Sequence, residues 1–545
     1  MPTIQFKGKS FVQNHHLAVP YHQLVPDKKK SLTDKVSLHD NLIIHGDNLL
    51  ALKALLPTYA GKVKCIYIDP PYNTGNEGWI YNDNVKSPII KEWIGKVVGR
   101  EGEDLTRHDK WLCMMMPRLK LLRELLTDDG VIIINIETNE YANLQLLLNE
   151  IFGEENCVGT FIWRKKEGGG QTKTAFVIEH EYVLIFQKTK AFHWIDEIVQ
   201  GDDSNFIFSD AGGKYKLVKL AKWGNTARKE DRPKMHFPII SPSGTKLLPI
   251  APDGTPGRWR VGKARMSCLI EEGLIEYKNA RDGQLVAYEK VYFSDEGVKT
   301  IKERSIIYDL TNTADASKQL TEIFREKDKF DNAKPVELVK YFLSYVTVRD
   351  SIILDSFAGS GTTAQAVLEL NKEDGGNRKF ILVEMEDYAD KITAERIHRV
   401  IKGVPNSSNH LLKEGLGGTF SYFELGDPIE ISNILSGKAL PTYLELARYV
   451  YYTATGEEFD ESKLNEVKNF IGRSKSYDIY MYYKPDIDYL KTTALTLDEA
   501  RNLRKKAGKR PLLVFAPTKY VEQTELDNLQ ITFCQLPFEI YKVKG

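Results

Sequence analysis

Two kinds of apolar patterning alternate along this chain, and their order sets the expected architecture. Short apolar runs recur at Leu42–Ile44, Val63–Ile68, Val131–Ile136, Tyr182–Phe186, Ile352–Leu354 and Phe380–Val383. Runs with no polar face suit strands covered on both sides. Between them the apolar residues fall at helical spacing: Leu49 to Leu56, Trp111 to Leu126 with a bend expected at Pro117, Tyr141 to Phe152, Pro335 to Val346, the segment after Gly361, and Asp387 to Val400. Asp128-Asp129-Gly130 reads as a turn. Strand and helix in alternation predict an α/β domain with a largely parallel sheet.

The pattern lapses in three places. Residues 1–40 show no sustained period and read as an arm laid over the surface. Residues 191–330 break into short segments rich in Gly and Pro, so the α/β domain appears as two halves, 41–190 and 331–404, around an insertion. Residues 405–545, with a helix expected at Leu444–Tyr452 and a strand at Leu512–Phe515, suggest a small separate α+β domain.

At 545 residues the chain exceeds what one core supports, in keeping with several domains. Its 75 basic and 75 acidic residues cancel, so only local clustering speaks about partners. One cluster stands out: residues 213–235 hold eight Lys/Arg against Glu230 and Asp231, with Tyr215 and Trp223 interleaved. Lys219, Lys222, Arg228, Lys229 and Arg232 are its candidate phosphate contacts. Trp163-Arg164-Lys165-Lys166 before Gly168-Gly169-Gly170 reads as a second basic loop. The five cysteines include no CxxC pair, which excludes the usual zinc spacings and a disulfide framework, so no metal site is expected. A cytoplasmic protein without membrane spans is the expectation; His15-His16 and Met114-Met115-Met116 read as arm and core.

Three strand ends carry chemistry. Val63–Ile68 stops at Asp69-Pro70-Pro71-Tyr72, at the carboxyl edge where open α/β sheets bind ligands. Two prolines fix the loop and remove two N–H donors, leaving carbonyls and a carboxylate that only accept, beside a ring able to stack on a flat base. Such a site suits an exocyclic amine. Ile353-Leu354-Asp355 runs into Ser356-Phe357-Ala358-Gly359-Ser360-Gly361-Thr362-Thr363, a glycine turn opening a helix and lacking the lysine of a phosphate loop. Phe380–Val383 ends on Glu384, where a ribose diol would be held, so a nucleoside cofactor without phosphates fits better than a dinucleotide.

Together these residues resemble the amino-group DNA methyltransferases, with DPPY as the target-amine motif and DSFAGSGTT as the S-adenosylmethionine loop. Asp69 precedes Asp355 by 286 residues, the order of the permuted beta group, whose fold is a circularly permuted, Rossmann-like methyltransferase sheet with a target-recognition region between the motifs. HGDN at 45–48, YNDN at 81–84, TDDGVIIINIETNE at 127–140, HEYVLIF at 180–186 and NAKPVELV at 332–339 are further similar to type III modification subunits. The chain departs from them by inserting Lys86–Arg107, and residues beyond 404 match nothing in the resemblance. The resemblance implies that Asp69 and the Pro70 carbonyl hold an adenine N6 amine, with Pro71 shaping the loop and Tyr72 stacking on a flipped base. It further implies that Asp355, Phe357, Gly359, Gly361 and Thr362 surround the cofactor's methionine end, Glu384 takes the ribose, Asp47 approaches the cofactor adenine, and Lys334 closes over it. Double-stranded DNA, a homodimer and a helicase-nuclease restriction partner are its implied associates. N4-cytosine methylation, and a DNA-recognition subunit acting mainly within such a complex, remain alternatives.

Overall fold

The apolar runs assemble into one ten-stranded sheet in the computed structural model, which describes residues 3–73, 107–168, 176–195, 197–199, 206–280, 283–292, 299–429, 440–457 and 459–536. In chain order its strands are β1 (His22–Pro26), β2 (Leu42–His45), β3 (Val63–Ile68), β4 (Leu126–Ile136), β5 (Cys157–Arg164), β6 (His180–Gln187), β7 (Ile306–Ile307), β8 (Ile352–Asp355), β9 (Lys379–Glu384) and β10 (Ser421–Pro428). Across the sheet they run β1-β10-β2-β9-β8-β3-β4-β6-β5-β7. The six strands from β10 to β4 are parallel, β6 runs against β4, and β5 and β7 return to the parallel direction.

Side chains alternate between two cores. Ile66, Ile68, Ile134 and Leu354 pack against α1 (Asn48–Tyr59), α2 (Arg107–Leu125) and α3 (Thr138–Phe152) on one face. Cys65, Tyr67, Ile133 and Ile353 pack on the other, against α4 (Thr313–Phe324), α5 (Val336–Val346), α6 (Thr362–Asp374) and α7 (Glu395–Lys402). Burial on both faces explains why these strands read as unbroken apolar runs.

β3 and β8, far apart in sequence, pair with Ile353 opposite Cys65 and Leu354 opposite Ile66. Asp69 and Asp355 therefore leave neighbouring strands at the same carboxyl edge. Glu384 ends the next strand over, Glu137 follows β4, and Glu181 stands at the start of the antiparallel β6.

Several elements differ from the sequence reading. Asp128-Asp129-Gly130 is no turn but part of β4: between the pairs Val63–Leu126 and Cys65–Val131 the strand holds extra residues, a bulge that absorbs the turn-formers. The first 40 residues supply β1 at the sheet edge, its terminal Pro26 in a position where a missing N–H is tolerated. The helix expected from Asp387 begins as a π-helix at Ala389–Ala394, where Thr393 Oγ1 donates to the Gly359 carbonyl (2.6 Å), so the widened turn serves the glycine loop.

The chain divides into two compact units, residues 1–195 with 304–545, and residues 196–303. The second is narrower than the 191–330 insertion expected. It holds a four-stranded antiparallel sheet (Ile275–Asn279, Leu285–Tyr292, Gly213–Lys219, Phe208–Asp210) over a small core around Trp259, Met266 and Leu269. Within the first unit, residues 470–535 form β11 (Phe470–Arg473), β12 (Asp478–Met481), β13 (Leu512–Ala516) and β14 (Ile531–Gln535), covered by two further cores, one of them shared with the helix Tyr443–Thr455. Their last three strands are parallel, because helices Leu497–Ala507 and Gln523–Asn528 supply the crossovers. No described helix is long and apolar enough to cross a membrane. YNDN at 81–84, the inserted residues 86–106 and Gly169-Gly170 lie outside the described residues.

Candidate active site

At the carboxyl edge lies a cleft of about 960 Å³ whose lining includes Asp69, Pro70, Pro71, Tyr72, Lys334, Asp355, Phe357, Gly359, Thr362 and Glu384. Two prolines stiffen the Asp69–Tyr72 loop, and the Trp111 indole locks it by donating Nε1–H to the Pro71 carbonyl (2.7 Å). Beyond it Asn73 adopts a left-handed conformation (φ 55°) that Asn tolerates, its amide donating to the buried Glu140. Among the described residues nothing donates to the Pro70 carbonyl.

Asp69 has two unlike oxygens. Oδ2 accepts from Lys334 Nζ (2.7 Å), whereas Oδ1 is buried with no hydrogen-bond partner among the described residues. A buried acceptor left unmatched costs free energy that an incoming N–H donor recovers. Burial pushes the Asp69 carboxyl above its ordinary range and Lys334 opposes that shift. For Lys334 burial works against the charge, but Asp69 and Glu181 outweigh it and raise the ammonium to about 12. Its Nζ also lies 4.9 Å from the centre of the Tyr72 ring. The Tyr72 hydroxyl donates to Glu181 Oε2 (2.9 Å).

The second acid group holds the glycine loop. Asp355 accepts from Thr363 Oγ1 (2.6 Å) and from the Phe357 amide (3.0 Å), and burial raises its carboxyl to about 7. Glu384 accepts the Gly359 amide at one oxygen (2.7 Å) and the Met385 and Glu386 amides at the other (2.9 and 3.0 Å). A carboxylate offers about four lone pairs, so roughly one remains for a hydroxyl in the cleft. Gly359 (φ 51°) and Gly361 (φ 81°, capping α6) occupy the left-handed region that glycine enters at little cost. A Cβ on Gly359 would stand 3.3 Å from the Phe330 ring. Behind the loop Arg396, 1% exposed, donates to Ser360 Oγ (2.7 Å), Thr362 Oγ1 (2.9 Å) and Gln365 Oε1 (2.9 Å). Burial brings its guanidinium down to about 10.

The structure does not bring every candidate to the cleft. Asp47 caps α1, accepting from the Leu49 and Leu50 amides and facing Arg118 (3.4 Å), and is not among the lining residues. Its neighbour Asn48 does line the cleft and donates to the Ser356 carbonyl. Lys165, a candidate DNA contact, pairs with Glu181 (3.2 Å) and closely with Glu137; Lys166 lines the cleft, while Arg164 bonds the Tyr308 carbonyl and Glu167. Lys219, Lys222, Arg228, Lys229 and Arg232 belong to the second unit. There Lys219 stands over the exposed Trp223 ring (4.7 Å), Arg228 is paired with Asp253 (2.8 Å), and Lys229 and Arg232 are exposed.

Sequence reasoning missed Glu181, Glu137 and Arg396. For Glu181 a signal existed: an acid opening the otherwise apolar strand HEYVLIF, with side chain 4% exposed. For Arg396 there was none, since its partners lie on another helix.

A family model described as DNA methylase matches residues 63–395. The chain is similar to the EcoPI Mod subunit, a type III restriction-modification enzyme of Escherichia phage P1, at 31% identity over 76% of this chain and 70% of that one. It is similar to the EcoP15I Mod subunit of Escherichia coli at 31% over 71% and 64%, so it spans less than two thirds of that relative. The type II methyltransferase M.KpnI of Klebsiella pneumoniae is 33% identical over 66% of this chain and 83% of its own. The solved M1.HpyAVI–SAM complex covers 65% of this chain and 98% of that one at 15% identity and a TM-score of 0.30, too loose a likeness to place any residue. By the reach of the family model and the identity to the EcoPI subunit, the chain belongs to the DNA methylase family.

Proposed function

We propose that this DNA methylase methylates the N6 amine of adenine in duplex DNA, as the modification component of a restriction-modification system. The observation that carries the reading is Asp69 Oδ1, a buried acceptor without a partner among the described residues, beside the Pro70 carbonyl in a loop whose two prolines offer no N–H. An exocyclic amine has two N–H groups for those two acceptors. Accepting both favours a pyramidal nitrogen and releases its lone pair from the ring, while the rigid loop fixes the line of attack. Tyr72 offers a ring face to a base drawn out of the duplex.

S-adenosylmethionine supplies the methyl group on a sulfonium: the nitrogen lone pair forms the new N–C bond, the S–C bond pair stays with sulfur, and the positive charge passes to nitrogen, whose proton leaves to water. Asp355, Phe357, Gly359, Gly361, Thr362 and Glu384 are the residues that would hold it. The fit rests on the spare lone pair of Glu384 and on the glycine cradle that a Cβ would crowd. In this reading Lys334 belongs to the amine-binding side through its bond to Asp69, and the exposed cations of the 196–303 unit contact phosphates. Circular permutation of the methyltransferase sheet, a homodimer and a helicase-nuclease partner complete the proposal.

N4-cytosine methylation is the rival within the same chemistry. Incubating the protein with mixed-sequence duplex DNA and S-adenosylmethionine, then analysing the nucleosides by mass spectrometry, separates the two. N6-methyladenine is expected; N4-methylcytosine alone would overturn the choice of base. Light scattering tests the dimer.

A further inference from the structure

Beyond the pair Asp69–Lys334, the cleft wall carries a continuous row of charges. Glu137 meets Lys165; Lys165 Nζ lies 3.2 Å from Glu181 Oε1; Lys334 Nζ lies 3.7 Å from Glu181 Oε2 and 2.7 Å from Asp69 Oδ2. The signs alternate along the row, with three carboxylates and two ammonium groups, so it carries one surplus negative charge. The members come from five places in the chain: the ends of β3, β4 and β5, the start of β6, and the segment before α5. Its centre is the most enclosed part: the side chains of Glu181 and Lys334 are 4% and 7% exposed, against 24% for Glu137 and 27% for Asp69.

We propose that Glu181 is a positioning residue that tunes this row for a cationic ligand. The inference rests on the methyl-transfer reading above. Glu181 does three things at once. It anchors the Tyr72 hydroxyl, it draws Lys334 so that the ammonium covers only one oxygen of Asp69, and it keeps the row net negative where it ends at Asp69 Oδ1. Without its charge the row is neutral and Lys334 belongs wholly to Asp69. The wall then loses its attraction for a positive charge near the amine, while the cavity keeps its shape. Burial disfavours the Glu181 anion, yet Lys334 and Lys165 hold its carboxyl below the ordinary range, so the group is charged at neutral pH. In a water-poor cleft one charge a few ångströms away changes a cation's affinity severalfold.

The test compares two ligands of nearly the same shape, S-adenosylmethionine with its sulfonium and S-adenosylhomocysteine with a neutral thioether. Their Kd values are measured by calorimetry on the full-length protein and its variants, with single-turnover methylation of duplex DNA alongside. Glu181→Gln is expected to lower the preference for the sulfonium about fivefold and to slow transfer about thirtyfold. Glu181→Asp, which keeps the charge, should retain most of the preference. Glu137→Gln removes a charge from the end of the row farther from Asp69 and should lower the preference about twofold. A Glu181→Gln or Glu137→Gln protein with wild-type preference would overturn the inference while leaving the function standing. Failure of the wild-type protein to methylate DNA would overturn the function and the inference with it.

Discussion

At the carboxyl edge of the large sheet, the two most enclosed lysines of the cleft each meet acids: Lys334 meets Asp69 and Glu181, and Lys165 meets Glu181 and Glu137. In the 196–303 unit some cations are paired, Arg228 with Asp253 and Lys290 with Asp210, but Lys229 and Arg232 are exposed and Lys219 lies over an indole. Both regions contain lysines beside aromatic rings, and by composition they look alike. The difference is burial. A buried charge must be paired, so in the cleft the pairing itself sets geometry and potential. Exposed cations are screened by salt and act additively on whatever polyanion approaches.

Asp69→Ala carries the largest expected effect. Removing both the orphan acceptor and the Lys334 partner should reduce methyl transfer about 10³-fold, while the Kd for S-adenosylmethionine rises only about fivefold, the change expected of a row made neutral. Equal loss of both would merge the amine side with the cofactor side. Gly361→Ala comes next: its φ of 81° strains an L-residue by about 1–2 kcal/mol, which should weaken cofactor binding roughly tenfold by calorimetry and leave DNA binding unchanged.

Asp355 gives a pH test. Its folded-state carboxyl, raised to about 7, exceeds the ordinary value of about 4, so its favourable contribution is full below pH ~4 and is lost as pH rises through ~7. The melting temperature of the ligand-free wild-type protein should therefore fall relative to Asp355→Asn between pH 5 and pH 8, by a few degrees. A constant difference would mean that the acid titrates normally. The smallest single effects belong to the second unit. Lys229→Ala or Arg232→Ala should each lower DNA affinity a fewfold across all sequences and reduce the salt slope by about one. Glu181→Gln should leave that slope alone. If the cleft variant moved it as much, the contrast between the two regions would fail.

What the sequence disclosed follows from the same contrast. Strand ends at Asp69, Asp355 and Glu384 were readable because a buried apolar run that stops on an acid is a local pattern. Asp128-Asp129-Gly130 misled for an equally local reason, since a bulge inside β4 uses the residues of a turn. Glu181 and Lys165 were invisible as a pair because their meaning depends on Lys334, whose segment joins the sheet edge only through the fold. Asp47, which the resemblance brings to the cofactor adenine, caps α1 in this fold, a role available to any Asp before a helix.

The most direct measurement is of the mark itself. Expressed in a host free of DNA methylation, with every modified base mapped by single-molecule sequencing, the wild-type protein should leave N6-methyladenine in one sequence context, and Asp69→Ala should leave none. Folded wild-type protein that leaves no N6-methyladenine would contradict the account.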